Sequence, residues 1–192
     1  MAADCADVHE VIRRAEAAIG SSPLLACGID TLTAWCGGPA GWRAADLWLR
    51  KTYPQVQGSV ASPNSLFGAM SLGGGLLLHW LAQREDKGGL ATEAHPKVCY
   101  YALRRLVQPW SVKAAGASRR EAWEWLASEL DVRPPADAIA ALSDHRFDAL
   151  MACLAALRGL NRQWTHDLHE EARASESHPF GRTHYWWPQV QQ

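Results

Sequence analysis

The sequence lacks several features that would assign a protein to a specialised class. No run of about 18 apolar residues occurs, so no membrane-spanning helix and no membrane partner are expected. The N-terminal residues form no apolar region of the kind found in secretory signals, which leaves a cytoplasmic location as the expectation. The net charge is only −1, with 19 Lys and Arg against 20 Asp and Glu, so the chain has no general attraction for nucleic acid.

Two common cofactor motifs are also missing. The five cysteines are odd in number, scattered and never spaced as C-x-x-C, which indicates reduced thiols rather than a disulfide framework or a zinc site. The run Gly73–Gly75 is followed by no Lys-Ser or Lys-Thr, so it is not a phosphate-binding loop. Three adjacent glycines instead favour close backbone packing or a break between two helices.

The chain does contain enough apolar material for one core. Its 192 residues with 48% hydrophobic content predict a single domain over 1–192. We expect the core over about residues 5–160, and a polar segment with a C-terminal tail over 161–192. Ten tryptophans are many for this length, and they suit the walls of a core or an interface, or platforms on which bases stack.

The apolar pattern predicts helices packed on a small sheet. Residues 24–30 form a short apolar run that ends on an acid, as in a strand buried on both faces. A second short strand is expected around residues 90–94. Apolar residues recur at helical spacing elsewhere, with Gly20 closing the first helix and Ser143 opening the last. The predicted helices cover 5–19, 43–51, 65–84, 97–107, 118–130, 132–142 and 143–157. The predicted fold class is therefore α/β.

The last of these helices, SDHRFDALMACLAAL, carries three potential metal ligands at its start. Asp148 follows Asp144 by four residues and His145 by three, and side chains with that spacing share a helix face. The alanines behind them would let the helix backbone approach the sheet closely and bring Asp148 near a strand end. The alternatives are structural, because an acid such as Asp144 stabilises a helix N-terminus and a histidine such as His145 is commonly a solvated surface residue.

Asp30, Glu93 and His95 follow or end the two predicted strands. Open α/β sheets bind their ligands at the carboxyl ends of the strands, and an acid there is costly unless it is paired or binds a metal. Glu93 and His95 share a strand face because they are two residues apart. An Asx-turn at Asp30 and exposed polar groups at the end of the second strand are the alternatives.

Together these residues predict a site for a hard metal ion. Carboxylates with an occasional histidine bind Mg²⁺ or Mn²⁺, so Asp30, Asp144, His145 and Asp148 are the candidate ligands. Two such ions activate water and stabilise the leaving oxygen in phosphodiester cleavage. A transition-metal site in the C-terminal segment is the alternative. Its candidate ligands are His166, His169, Glu170, His178 and His184.

Five stretches of the chain resemble one protein family. They are GIDTLTAW, GGPAGWRAADLWLR, SPNSLFGAM, TEAHPKVCYYAL and DHRFDALMACLAAL. They are similar to the predicted RNase H-like nucleases called domain of unknown function 429, which are grouped with RuvC-like resolvases. The resemblance covers about residues 20–160, and RAADLWLR and EAHP are its more specific parts. GRTHYWWP resembles the C-terminal end of the family.

The resemblance implies an RNase H-like fold and a two-metal nuclease site. In that family, acids from the first strand, the fourth strand and the last helix hold the metal ions. Asp30 matches the acid of the fourth strand, and His145 and Asp148 match the pair on the last helix. These three are therefore the candidate catalytic residues, and the implied partner is nucleic acid.

Two further motifs of the resemblance are candidates for substrate binding. Glu93 and His95 match a family motif whose role is open. Arg43, Asp46 and Arg50 match another motif, which either binds phosphate or forms ion pairs within itself. Basic residues elsewhere would offer nucleic acid a local positive surface. They are Arg104, Arg105, Lys113, Arg119 and Arg120.

The chain departs from the family pattern at its N-terminal end. The family implies three antiparallel strands before the helix at 5–19, with an acid on the first, so the predicted fold is an RNase H-like domain truncated at its N-terminus. We expect an unpaired strand edge at Leu24–Asp30, covered by a second copy in a homo-oligomer or by another protein. The alternative to a nuclease is a non-catalytic RNase H-like module that binds a partner or self-associates.

Overall fold

The fold is that of a computed structural model, which describes residues 5, 7–64, 68–84, 89–110, 116–133, 142–172 and 174–189. The helices are α1 (Val8–Ile19), α2 (Ala44–Thr52), α3 (Gly68–Gln83), α4 (Pro96–Arg104), α5 (Gly116–Glu129) and α6 (Asp144–Leu160), and a 3₁₀ helix spans Pro54–Ser59. The strands are β1 (Ala26–Ile29), β2 (Trp35–Cys36), β3 (Leu90–Glu93), β4 (His166–Asp167), β5 (Glu176–Ser177) and β6 (Trp186–Trp187). The protein is thus a mixture of helices and short strands, which agrees with the predicted α/β class.

Local sequence signals set the ends of two helices. The N–H of Gly20, at a φ of 56°, donates to the carbonyl of Glu16 and closes α1, as predicted. The hydroxyl of Ser143 accepts the N–H of Arg146 at 3.3 Å and opens α6, also as predicted. Most of the helix predicted at 132–142 lies outside the described residues, and so does Lys113.

Strands β1 and β3 pair in parallel, with Ile29 opposite Glu93. Beyond β3, the N–H of His184 donates to the carbonyl of Ala91 at 2.9 Å and the N–H of Glu93 donates to the carbonyl of His184 at 2.8 Å. Within the described ranges, β1 pairs with no strand other than β3. Three of its four residues are therefore half-buried, and the prediction of a strand buried on both faces was wrong.

Helix α6 packs directly on β1. Gly28 lies so close to the helix that a Cβ at this position would be 1.8 Å from the carbonyl oxygen of Ala152. Ala152 and Ala155 are buried at this side of α6, so the alanines allow the close approach that the sequence predicts. This contact places the first turns of α6 beside the carboxyl end of β1.

Replacing Gly28 with alanine should destabilise the protein by about 2 kcal/mol or more, because the added methyl group overlaps the backbone of α6. Urea unfolding measures the change in the free energy of unfolding. Gly73→Ala is the matched control, since nothing in the described structure beyond its own helix lies within 4 Å of that methyl group. Alanine is favoured over glycine inside a helix, so the control should not be destabilised. Equal effects of the two substitutions would contradict the close packing.

The main core lies between α2, α4, α5, α6 and the C-terminal segment. Trp187 is buried there, and its indole N–H donates to the hydroxyl of Tyr53 at 3.0 Å. The antiparallel pairs β4–β6 and β2–β5 hold this segment in place. The core therefore extends beyond the predicted 5–160. Its members from the C-terminal segment are Trp164, Leu168, Tyr185, Trp186 and Trp187.

A smaller apolar cluster joins β1 to α3, which runs without a break through Gly73–Gly75. A Cβ at Gly74 would lie 2.4 Å from the side chain of Thr31, and one at Gly75 would lie 2.2 Å from the ring of Phe180. Of the two interpretations of the glycine run, close packing is the one found. None of the helices in the described ranges has the length and apolar character needed to cross a membrane.

Candidate functional site

A pocket of about 430 Å³ opens where β1 and β3 end. Asp30 follows β1, Glu93 ends β3, and Asp148 reaches the pocket from the second turn of α6. The three meet because parallel strands end at the same edge of a sheet and because α6 lies on β1. The other lining residues that matter to its chemistry are Leu32, Trp42, Val60, Met70, His95, Pro96 and Lys97.

Two neighbours hold the carboxylate of Asp148. The side-chain amide of Gln108 donates to its Oδ1 at 2.7 Å, and the ammonium of Lys97 lies 3.5 Å from its Oδ2. Gln108 is almost completely buried. Sequence reasoning missed both neighbours. No sequence motif points to Gln108. Lys97 directly follows the EAHP string, so that motif could have indicated it as a site residue.

Asp30 is an exposed residue at the edge of the pocket, yet the surroundings of its carboxyl oppose a negative charge. Crowding by protein atoms and then the neighbouring Asp148 carboxylate raise the pKa of Asp30 to about 7, against the opposing charge of Lys97. Burial also raises the pKa of Asp148, although Gln108 and Lys97 act in the other direction. Two acids that share one pocket with one lysine therefore hold a proton or attract a cation near neutral pH.

Asp30→Asn should stabilise the metal-free protein more at about pH 8 than at about pH 5. The pKa of Asp30 is raised from 3.8 to about 7, so between these values the folded state binds more protons than the unfolded chain. The free energy of unfolding consequently falls as the pH rises through this interval, and asparagine removes that loss. Urea unfolding at both pH values, in the presence of a chelator, measures the difference.

Glu124→Gln is the control for this measurement, because it changes an exposed carboxylate of α5 that does not line the pocket. It should leave the pH dependence of the free energy of unfolding as in the wild type. A stabilisation by Asp30→Asn that is the same at both pH values would contradict the raised pKa of Asp30.

Asp144 and His145 do not line the pocket. The side chain of His145 is 86% exposed, and its Nε2 lies 3.9 Å from a carboxylate oxygen of Asp144. Of the four predicted metal ligands, the pocket therefore brings together two, Asp30 and Asp148. Across the part of the chain that the structure describes, no group of three or more His, Cys, Asp or Glu side chains is arranged to hold a metal ion.

Arg43, Asp46 and Glu93 form a buried ion network behind the pocket. The two terminal nitrogens of Arg43 donate to the two carboxylate oxygens of Glu93 at 2.7 and 2.6 Å. The Nε and one terminal nitrogen donate to Asp46 at 2.9 and 2.7 Å. Because all three side chains are at most 1% exposed, their donors and acceptors face one another. Arg43 and Asp46 thus pair with each other, which is one of the two interpretations of their motif, whereas Arg50 takes no part in the pairing.

Glu93 also ties the C-terminal segment to β3. The backbone N–H and the hydroxyl of Thr33 both donate to Oε2 of Glu93 at 2.8 Å, and Nε2 of His169 lies 3.6 Å from the same oxygen. Burial opposes the charge on Glu93, but Arg43 and His169 outweigh it and hold the pKa of Glu93 well below its usual range. Burial likewise opposes a charge on His169, and Glu93 reverses this and raises the pKa of His169.

Arg43→Met should destabilise the protein by about 3–5 kcal/mol, because it leaves two buried carboxylates without their guanidinium partner. Urea unfolding at neutral pH measures this loss. Arg14→Met is the control: its side chain is 53% exposed and pairs with Glu10 on the surface of α1, so little change is expected. Comparable losses in both variants would contradict the structural role of the buried network.

His95 lines the pocket as an uncharged ring. Burial lowers its pKa to about 4, and its Nε2 lies 3.0 Å from the carbonyl oxygen of Ser59. A neutral imidazole donates its proton to that carbonyl, which fixes the ring. Arg50 lies behind the pocket wall, where its guanidinium stacks on the Trp42 ring at 4.8 Å. Neither residue therefore brings a positive charge into the pocket.

The remaining candidates make other contacts. His184 Nδ1 lies 2.8 Å from Asp167 in the C-terminal segment. The guanidinium of Arg104 stacks on Trp125, at 5.3 Å from the ring centre. The guanidinium of Arg119 likewise lies over Trp110, at 5.8 Å from the ring centre, and Arg105 and Arg120 are exposed.

The chain matches no family model, no curated protein and no solved structure. The resemblance to domain of unknown function 429 therefore rests on the five sequence stretches and on GRTHYWWP. A function has to be inferred from the geometry and the charges of the pocket.

Proposed function

We propose that the pocket is the active site of a metal-dependent phosphodiesterase that acts on nucleic acid and is carried by an RNase H-like domain. The observation that supports this most is the meeting of Asp30 and Asp148 at the carboxyl ends of two parallel strands. Lys97 adds one positive charge beside them. Acids that bind a cation, next to a positively charged side chain that attracts a phosphate oxygen, suit phosphoryl chemistry.

The two acids fit a divalent cation such as Mg²⁺ or Mn²⁺. Mg²⁺ commonly binds through one or two carboxylates and keeps several waters, so a pair of acids suffices when the substrate contributes phosphate oxygens. Burial and then the Asp148 carboxylate raise the pKa of Asp30 to about 7, and a bound cation would offset the second of these effects. When bound, such an ion lowers the pKa of a coordinated water and neutralises charge on a phosphoryl group.

The side chains of the pocket have separate roles in this proposal. Asp30 and Asp148 hold the cation, and Gln108 keeps Asp148 in one orientation through its 2.7 Å hydrogen bond. Lys97 attracts a phosphate oxygen to the same place. His95 serves as part of the wall rather than as a proton donor, because its ring is neutral at physiological pH.

A non-catalytic binding module is the second candidate, and the ion pair between Lys97 and Asp148 favours it. The ammonium is already 3.5 Å from the carboxylate, so it can take the place of a metal ion. In such a module the pocket binds its ligand without cleavage, and the edge of β1 is available to a second copy or another protein. Metal binding distinguishes the two candidates.

Mn²⁺ should raise the melting temperature of the wild-type protein, and Asp148→Asn should remove that increase. A ligand that binds only the folded state stabilises it by ~2.7 kcal/mol at a concentration of 100 times its Kd. Thermal unfolding with and without Mn²⁺ or Mg²⁺ detects this effect. Cleavage of labelled DNA and RNA by the same preparations should depend on the metal and be lost in the variant.

Asp144→Asn is the matched control, because it removes an acid four residues earlier on α6 that does not line the pocket. It should keep both the Mn²⁺ response and the cleavage. A Mn²⁺ response that persists in Asp148→Asn would place the cation elsewhere. An absent metal response in the wild type would favour the binding module.

A further inference from the structure

The walls of the pocket differ in character from its acidic end. They consist of apolar side chains, with the flat ring of Trp42 among them. At about 430 Å³, the pocket has the size of a small-molecule site, and such sites are lined mainly by apolar and aromatic groups with a few polar ones. The apolar wall side chains are Leu32, Trp42, Val60, Ala61, Met70 and Pro96.

The charges of the lining residues also argue against a nucleic-acid duplex inside the pocket. Lys97 is the only Lys or Arg among the described residues that line it. Asp30 and Asp148 are acidic, and the Arg43 that pairs with Glu93 is shared with Asp46. A duplex carries a negative charge about every 1.7 Å of its axis and would find one positive partner here. An uncharged base, in contrast, finds apolar surface.

Contacts from behind fix the aromatic wall. The guanidinium of Arg50 stacks on Trp42 at 4.8 Å and donates to the carbonyl oxygens of Gln57 at 2.8 Å and Val60 at 3.4 Å. One arginine thus ties the ring to the neighbouring wall segment. On the α3 side, the hydroxyl of Thr31 donates to the backbone carbonyl of Met70. A wall held in this way loses little entropy when a ligand binds.

We infer that the pocket takes one unpaired nucleotide, with its base against Trp42 and Met70 and its phosphate beside Lys97, and that paired bases are excluded. The phosphate end of this inference rests on the proposed nuclease function, whereas the base site rests on the apolar wall. Stacking on an aromatic ring tolerates all bases, because each has a flat apolar face. Little preference among bases is therefore expected.

Calorimetric titration tests this inference with adenosine 5′-monophosphate, a short single-stranded oligonucleotide and its blunt-ended duplex, each with and without Mg²⁺. The mononucleotide and the single strand should bind, and the affinity for the duplex should be lower by a factor of about ten or more. Trp42→Leu should weaken mononucleotide binding on the order of tenfold, and Met70→Ala should weaken it by a smaller factor. Leu72→Ala is the control, since this residue is exposed on the same helix and does not line the pocket.

Equal affinities for duplex and single strand would overturn the inference. So would an absence of mononucleotide binding under both conditions, or affinities in Trp42→Leu and Met70→Ala that equal those of the control. Circular dichroism checks the fold of Trp42→Leu, and Met70→Ala at a 41% exposed position tests the wall if that variant does not fold. Failure of the nuclease function is recognised separately, as a lack of metal-dependent cleavage while the wall variants still weaken base binding.

Discussion

The carbonyl oxygen of Ala152 occupies the space that a side chain at position 28 would need, and the geometry of the pocket depends on this contact. With a larger residue in place of Gly28, α6 would have to move away from β1. Asp148 would then move away from Asp30, since one belongs to the helix and the other to the strand. A displacement of about 1 Å is enough to disturb a site that acts on bound groups. A structural glycine thus sets the distance between two acids.

A second constraint holds the floor of the pocket. The guanidinium of Arg43 connects α2 to the end of β3, and Glu93 in turn holds the C-terminal segment through His169. Buried ion pairs contribute less to stability than their close contacts suggest, because both partners give up hydration. Their effect here is positional: they fix the end of the strand from which His95 and Lys97 continue into the pocket.

The sequence predicted those parts of the structure that local patterns determine. Apolar periodicity predicted strands β1 and β3 and most of the helices, and the alanines of α6 predicted its close approach to the sheet. Asp144, His145 and Asp148 also lie on one helix, as their spacing predicted. The rotation of α6 against the sheet is set by tertiary packing, and it leaves His145 in solvent while Asp148 lines the pocket.

Two partners of the acids could not be predicted, for a related reason. Gln108 lies 40 residues before Asp148, and Arg43 lies 50 residues before Glu93, so no local pattern links them. The C-terminal segment looked like a polar tail because its buried aromatic residues are few and close together. They lie in the core, beside the pairing of β4 with β6.

The proposed function depends on whether the acidic pair holds a cation or keeps Lys97 as its permanent partner. These two states differ in what lies beside Asp148, because a bound metal ion requires the ammonium to move away. Anomalous scattering from a crystal of the protein grown with Mn²⁺ distinguishes them directly. A Mn²⁺ peak is expected at coordination distance from the carboxylates of both Asp30 and Asp148. A peak at Asp144 and His145, or an empty pocket with Lys97 still paired to Asp148, would contradict it.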